Sequence, residues 1–393
     1  MRVVKGREQI YGRIHSKSIN ALNNLAIIQR DRGKMEDSIA LFKCVYQNRF
    51  ELLGEHHPDV LGASVNLANV LTTVGLLSEA EKLYKAAIRN YMKNLNDDHP
   101  SLLTAINNFG VLLLTKGDIN GAEIMLTRAL KGRSNLLGER NPFTLSTMSN
   151  LGVLKRANGK KEEAEKLTRE SLSGREAELG VDHSETLGTA NNLANILGDA
   201  GKFYEAKFLY ERALSGNKKV HGINHPTTLE ILRNYIKFFI LHGEIAKAKA
   251  QSKRLISVLE NSFGREDETY LTAATNYAKL LISDVRCVDS KEFCVVESLL
   301  KVIYQTRKRA FAALRETATG SSKGSETDIA VMTSPGISYS KTRLKLGSAS
   351  EIFTLAEYKL KVIDSIENLI VLYKTIGNHL KVLSLLDTLS RYK

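Results

Sequence analysis

Four histidines stand where a metal site or a proton relay could use them: His57, His99, His183 and His225. Imidazole is a common zinc ligand and titrates nearest neutrality. Their spacing argues against both roles. Each lies 42 residues, or a multiple of 42, from the next. Each therefore fills the same place in a repeated unit, and the four cannot converge on one ion. Proline follows in His57-Pro58, His99-Pro100 and His225-Pro226, and Asn141-Pro142, His183-Ser184 and His15-Ser16 hold the same register. Proline suits the first helical position, so the residue before it reads as a helix cap. No H-E-x-x-H, phosphate-binding G-x-x-x-x-G-K-[ST] or G-x-S-x-G pattern occurs. Cys44, Cys287 and Cys294 give neither a disulfide framework nor metal spacing. No catalytic residue, metal site or cofactor is implied.

Amides are the second chemical group in the register. Asparagine recurs at Asn24, Asn66, Asn108, Asn150, Asn192, Asn234 and Asn276, at a constant spacing of 42. Further amides flank this column, with Asn107 and Asn191 one residue before it and Asn69 and Asn195 three after. Asparagine is a poor helix former, and burying its amide unpaired costs about 1–3 kcal/mol. The amide offers both a donor and an acceptor, so it can bridge neighbouring repeats or meet a ligand. Near the end of the series the same positions carry cations: Arg233, Lys237 and Lys279, with Arg156 earlier.

These residues sit on elements the register defines. Glycine recurs at Gly33, Gly75, Gly117, Gly159, Gly201 and Gly243, and five residues later comes Ser38, Ala80, Ala122, Ala164, Ala206 or Ala248. Leu61, Leu67, Val70 and Leu71 show the three-to-four spacing of a buried helical face. Each unit therefore reads as a helix, a glycine turn and a second amphipathic helix, such as "YEAKFLYERALSGNKK", whose small residue permits close approach. One such hairpin cannot bury its apolar face alone, so neighbours must stack.

Residues 191–214, "NNLANILGDAGKFYEAKFLYERAL", carry the repeat most fully. On this pattern residues 1–284 resemble a tetratricopeptide-repeat array of the 42-residue kind found in kinesin light chains and nephrocystin-like proteins. The resemblance implies an all-α fold, an α-solenoid in which antiparallel helix pairs stack into a right-handed superhelix. It also implies that first helices line a concave groove. There the column Asn24, Asn66, Asn108, Asn150, Asn192 and Asn234 would hold the backbone of an extended peptide. Asn107, Asn191, Asn69, Asn195, Arg233 and Lys237 would select its side chains. The competing reading of the same asparagines is a bridge between repeats that serves only the stack. Arg233 and Lys237 lead us to expect acidic groups in the ligand; scattered surface cations are the alternative. Kinesin light chains carry a heptad coiled coil that docks a motor heavy chain; residues 1–393 hold no such run, so that partner is not expected.

The expected organisation is a partial repeat or N-terminal cap over 1–15 and the regular array over 16–284. A shifted second helix follows at 285–316, a flexible Ser/Thr/Gly-rich linker at 317–349 and a diverged capping hairpin at 350–393. The formal charge is +13, but acids interleave with bases and the longest basic run is "RKR" at 307–309, so nucleic acid is not the expected partner. No stretch approaches the roughly 20 apolar residues that span a bilayer. The expected function is a non-enzymatic cytoplasmic scaffold that binds a partner's peptide segment. The alternative is a regulatory or sensor repeat domain of a larger signalling protein.

Overall fold

The computed structural model describes residues 2–283, 290–320, 348–375 and 379–392. Among them all regular structure is helical, and the helices pair along the chain. The chain divides into two compact units, 1–242 and 243–393. The first unit holds α1 (Arg2–Tyr11), then the pairs α2 (Ser16–Asp31) and α3 (Met35–Leu53), α4 (Pro58–Thr73) and α5 (Leu77–Asn94), and α6 (Pro100–Lys116) and α7 (Ile119–Leu137). It continues with α8 (Pro142–Ala157) and α9 (Lys161–Leu179), α10 (Ser184–Asp199) and α11 (Phe203–His221), and α12 (Pro226–Leu241). The second unit holds α13 (Ile245–Phe263), α14 (Glu268–Ser283), α15 (Ser290–Gly320), α16 (Ser348–Thr375) and α17 (His379–Ser390).

The register explains where the helices start and stop. Nδ1 of His15, His57 and His99 each accepts from the backbone N–H two residues on, at 3.2 Å, and His183 and His225 do the same at 3.3 Å. Asn141 caps α8 in the same way through Oδ1, at 2.9 Å from the Phe143 N–H. The histidine column therefore satisfies helix N-termini. At the other end of α6, Gly117 takes φ 84 and its N–H closes on the Leu113 and Leu114 carbonyls. A side chain there would be strained, which accounts for the glycine.

Packing follows from the small residue five positions after each turn. Ser38, Ala80, Ala122, Ala164, Ala206 and Ala248 are all fully buried. A continuous apolar core, including Phe42, Leu71, Tyr84, Ile106, Leu126 and Leu154, runs through the hairpins from α2 to α8. Burying each such side chain contributes about 1.5–3 kcal/mol.

A further set of contacts joins the second helices α3, α7 and α9 to the first helix that follows each. Buried Arg133 in α7 donates to the Phe143 carbonyl at 2.9 Å and to Thr147 Oγ1 at 2.7 Å, with Thr104 Oγ1 at 3.0 Å. Arg175 in α9 repeats this on the Glu185 carbonyl and Thr189 Oγ1, both at 2.7 Å. Arg49 reaches the Asp59 carbonyl and Asn20. Burial lowers the Arg133 guanidinium to about 10, still charged at neutrality.

In the second unit Arg307 of α15 donates to the Lys361 carbonyl and Ser365 Oγ of α16, so α16 meets α15 as one repeat meets the next. α15 runs over 290–320 where a shifted second helix was expected at 285–316, whose residues 285–289 lie outside the described residues, and α16 and α17 fall in the stretch expected to hold the capping hairpin. Most of the expected linker, residues 321–347, lies outside the described residues.

Candidate functional site

In the first unit, successive first helices pack on one another: α4 on α6, α6 on α8, α8 on α10 and α10 on α12. Each second helix packs on its own first helix and on the next one along. The first helices therefore crowd towards a common inner face.

The asparagine column lies on that face, and its amides are tied to the preceding hairpin. Asn150 Nδ2 donates to Asn107 Oδ1 at 3.2 Å, Asn192 Nδ2 to Ser149 Oγ at 3.3 Å, and Asn234 Nδ2 to Asn191 Oδ1 at 3.4 Å. In each case the acceptor is the residue just before the column in the previous repeat. Asn108 finds Val65 at that place, which offers no acceptor, and donates instead to Asn69 Oδ1 at 2.9 Å. Asn107 Nδ2 returns a bond to Asn108 Oδ1 at 2.9 Å. The Tyr84 hydroxyl also donates to Asn69, at 2.5 Å. A relay thus runs Tyr84, Asn69, Asn108, Asn107, Asn150 across three hairpins.

Asn107 and Asn191, each 5% exposed, stand between hairpins with Ser149. Asn66, Asn108, Asn150, Asn192 and Asn234 are half-buried, and Asn24 is exposed. Asn69 and Asn195 are held from below by tyrosines of their own second helix, the Tyr210 hydroxyl donating to Asn195 Oδ1 at 2.8 Å. Where that position is apolar, as in Ile27 and Val111, its counterpart is Phe42 or Leu126. Burial pushes both tyrosine hydroxyls far above their ordinary range, so they remain donors.

The inner face opens into a cavity of about 300 Å³ between α8, α10 and α12. Its lining includes Asn192, Asn195, Asn234, Val153, Phe238, Leu241 and Tyr210. Asn192 and Asn234 are the amides whose carbonyl oxygens take no protein donor among the described residues; Asn195 is engaged through both ends. Phe238 stacks on Phe203 at 4.9 Å between centroids and packs on Tyr210 at 5.2 Å, which makes a rigid aromatic floor.

The charges around this cavity are mixed: Arg156, Asp199, Glu230 and Lys237. Arg156 is already paired with Asp199 at 2.5 Å, across two hairpins. Lys237 is exposed, two helical turns along α12 from Glu230. Arg233 is half-buried on the same helix. In the second unit, Lys279 pairs with Asp364 at 2.9 Å.

Sequence spacing missed two parts of this arrangement. One is the arginine set, which recurs at Arg49, Arg133 and Arg175 but is interrupted by Tyr91 and Asn217. The other is the aromatic floor. Its signal was the cluster Tyr235, Phe238 and Phe239, present in no other first helix.

Comparison with known proteins agrees with the geometry. One tetratricopeptide-repeat model matches residues 17–93 and 59–135, and another matches 144–185 and 186–227, together just over half of the chain. Among solved structures, a Podosopora anserina putative kinesin light chain with nearly identical TPR-like repeats is 22% identical. It covers 51% of this chain and 95% of its own, with a TM-score of 0.42. BtubC (BKLC) from P. vanneervenii is 21% identical over 56% of this chain and 89% of its own, with a TM-score of 0.45. Pseudomonas aeruginosa pilF is 16% identical over 65% and 95%, with a TM-score of 0.38. No curated protein matches the chain.

Proposed function

Because the chain belongs to the tetratricopeptide-repeat family, we propose that it is a non-enzymatic cytoplasmic scaffold whose inner groove holds an extended peptide segment of a partner protein. Repeats of this family are typically non-catalytic and mediate protein interactions. No helix among the described residues is long and apolar enough to cross a membrane. The observation that carries the proposal is the cavity between α8, α10 and α12, where Asn192 and Asn234 keep their carbonyl oxygens for a ligand.

In this reading the two column amides play both roles open to them. Nδ2 holds the preceding hairpin, and Oδ1 accepts a peptide N–H without reading sequence. An apolar side chain of the ligand rests on Phe238, Val153 and Leu241. A carboxylate beside it meets Lys237, and Glu230 disfavours acids one step further along. Asn24, Asn66, Asn108 and Asn150 continue the groove towards the N-terminus as weaker contacts. Affinity is modest, because an extended segment loses conformational freedom on binding.

The test is selection from a displayed library of extended peptides, followed by titration of the best binder against the Asn192→Ala/Asn234→Ala double variant. Two lost hydrogen bonds predict roughly tenfold or greater weakening with little change in melting temperature. Equal affinity for both proteins would reject the groove as the binding site.

A further inference from the structure

α1 is joined to the array as α3, α7 and α9 are. Its Arg7 donates to the Lys17 carbonyl, 10 residues ahead, at 3.0 Å, the bond that Arg49, Arg133 and Arg175 make to the first helix that follows them. On its other side α1 differs from every second helix of the first unit. Val3 is 62% exposed, whereas Val45, Ala87, Ala129, Ser171 and Ala213, at the same place in the 42-residue register, are at most 1% exposed. An apolar side chain that is core in five hairpins is surface in α1.

Two neighbours of Val3 describe what fits against this face. Gly6 shares its place with Gly132, Gly174 and Gly216. At those three a leucine of the hairpin's own first helix fills the side-chain position: a Cβ would stand 2.6 Å from Leu103, 2.7 Å from Leu145 and 2.6 Å from Leu187. A Cβ on Gly6 would meet nothing within 4 Å. The clasp arginine tells the same story. Arg49 and Arg133 also reach back 29 residues to their own first helix, Nη2 donating to Asn20 Oδ1 at 2.9 Å and to Thr104 Oγ1 at 3.0 Å. Half-buried Arg7 makes only the forward hydrogen bond among the described residues.

We propose that α1 is the open half of a helical hairpin and that an amphipathic, acidic helix of a partner protein completes it. That helix carries a leucine to lie over Gly6 beside Val3, and an oxygen acceptor on the next residue for Arg7, as Leu103 and Thr104 do for α7. Its flanks are acidic because the rim is basic. α1 holds Arg2, Lys5 and Arg7 against Glu8, and exposed Arg13 and Lys17 follow. A second copy of α1 would set these bases against one another, so charge selects a different, acidic chain. Recognition is by the apolar stripe of a helix, and the charges set orientation and rate of encounter. The proposal does not rest on the inner groove holding a peptide.

The test uses the full chain and, as probe, a fluorescent synthetic peptide of residues 97–116, which carries Asp97, Asp98, Leu103 and Thr104. Anisotropy titration should show saturable binding, with a gain of helical circular dichroism in the peptide. Gly6→Leu adds a side chain where no protein atom lies near the Cβ. It should leave the melting temperature unchanged and weaken binding about tenfold or more by blocking the leucine of the probe. In the peptide, Leu103→Ala should weaken binding by a similar factor and Thr104→Val by less. Lys5→Glu in the protein should weaken it several-fold at low salt, an effect that shrinks as salt is raised. The Asn192→Ala/Asn234→Ala variant should bind the probe as the parent does, which separates this face from the inner groove. No binding by the parent, equal binding by Gly6→Leu, or loss of binding in the groove variant would each overturn the proposal. So would a parent dimer, seen by sedimentation, that Gly6→Leu dissociates, because the face would then belong to a second copy.

Discussion

The asparagine column does different work in the two halves of the first unit. Around α6 and α8 the column amides bond to amides of the preceding hairpin, and the relay from Tyr84 to Asn150 satisfies Asn108 at both ends. Around α10 and α12 the bonds between hairpins are longer, at 3.3 and 3.4 Å, and the carbonyl oxygens of Asn192 and Asn234 border an open cavity. What decides is the residue just before the column and the one three after it. The second hairpin pairs Val65 with Asn69, which draws Asn108 across the groove. The third supplies Asn107, which bonds to two column members. The fourth supplies Ser149, which has no amide to return a bond. One repeated side chain thus becomes mortar in one stretch and the lining of an open cavity in the next.

The largest expected effect breaks the mortar. Asn108→Ala combined with Asn150→Ala strips buried Asn107 of both its acceptor and its donor, while Asn69 Oδ1 keeps the Tyr84 hydroxyl, a loss of roughly 2–4 kcal/mol. Urea titration of the full chain should show it as a lower midpoint; a midpoint within error of the parent would dissolve the distinction between the halves. The same exchange at Asn192 and Asn234 should cost stability about 1 kcal/mol or less, so the two double variants rank oppositely in stability and in peptide binding.

The tyrosines sharpen the contrast. Tyr210→Phe removes the hydroxyl that donates to Asn195 Oδ1, for which no other donor is present among the described residues, so about 1–2 kcal/mol is lost. Tyr84→Phe leaves Asn69 Oδ1 still bonded to Asn108, so its cost is smaller, about 0.5–1 kcal/mol. Thermal melts of the two single variants decide the order, and the reverse order would contradict the relay. The smallest effect is electrostatic. Lys237→Glu should weaken an acidic peptide several-fold at low salt, and the difference should shrink above about 0.15 M, where exposed charges are screened. Calorimetric titration at two ionic strengths measures it.

Much of this architecture was legible in one sequence because the 42-residue register marks helix ends directly. Pro58, Pro100, Pro142 and Pro226 open their helices, and the glycine at 117 ends α6 in the left-handed conformation that residue permits. What the register does not fix is which of two adjacent helical positions faces the groove. Neighbouring residues point about 100° apart, and only the approach of the next hairpin decides which is covered. Asn107 and Asn108 illustrate this: equal in composition and adjacent in sequence, one is buried between repeats and the other half-exposed on the inner face. The arginine clasps were illegible for another reason. Their acceptors are backbone carbonyls, which leave no mark on the sequence, and only Thr147 and Thr189 hint at them.

Those clasps measure how much the chain tolerates between repeats. Arg133 and Arg175 reach a carbonyl 10 residues ahead and a hydroxyl 14 ahead, whereas Arg307 makes the same two bonds 54 and 58 residues ahead. The joint holds its geometry although the connection feeding it has grown several-fold. To a protein engineer this is a ready-made graft point: the connection between α15 and α16 is where a reporter or a second binding domain can be inserted with the clasp still closing behind it.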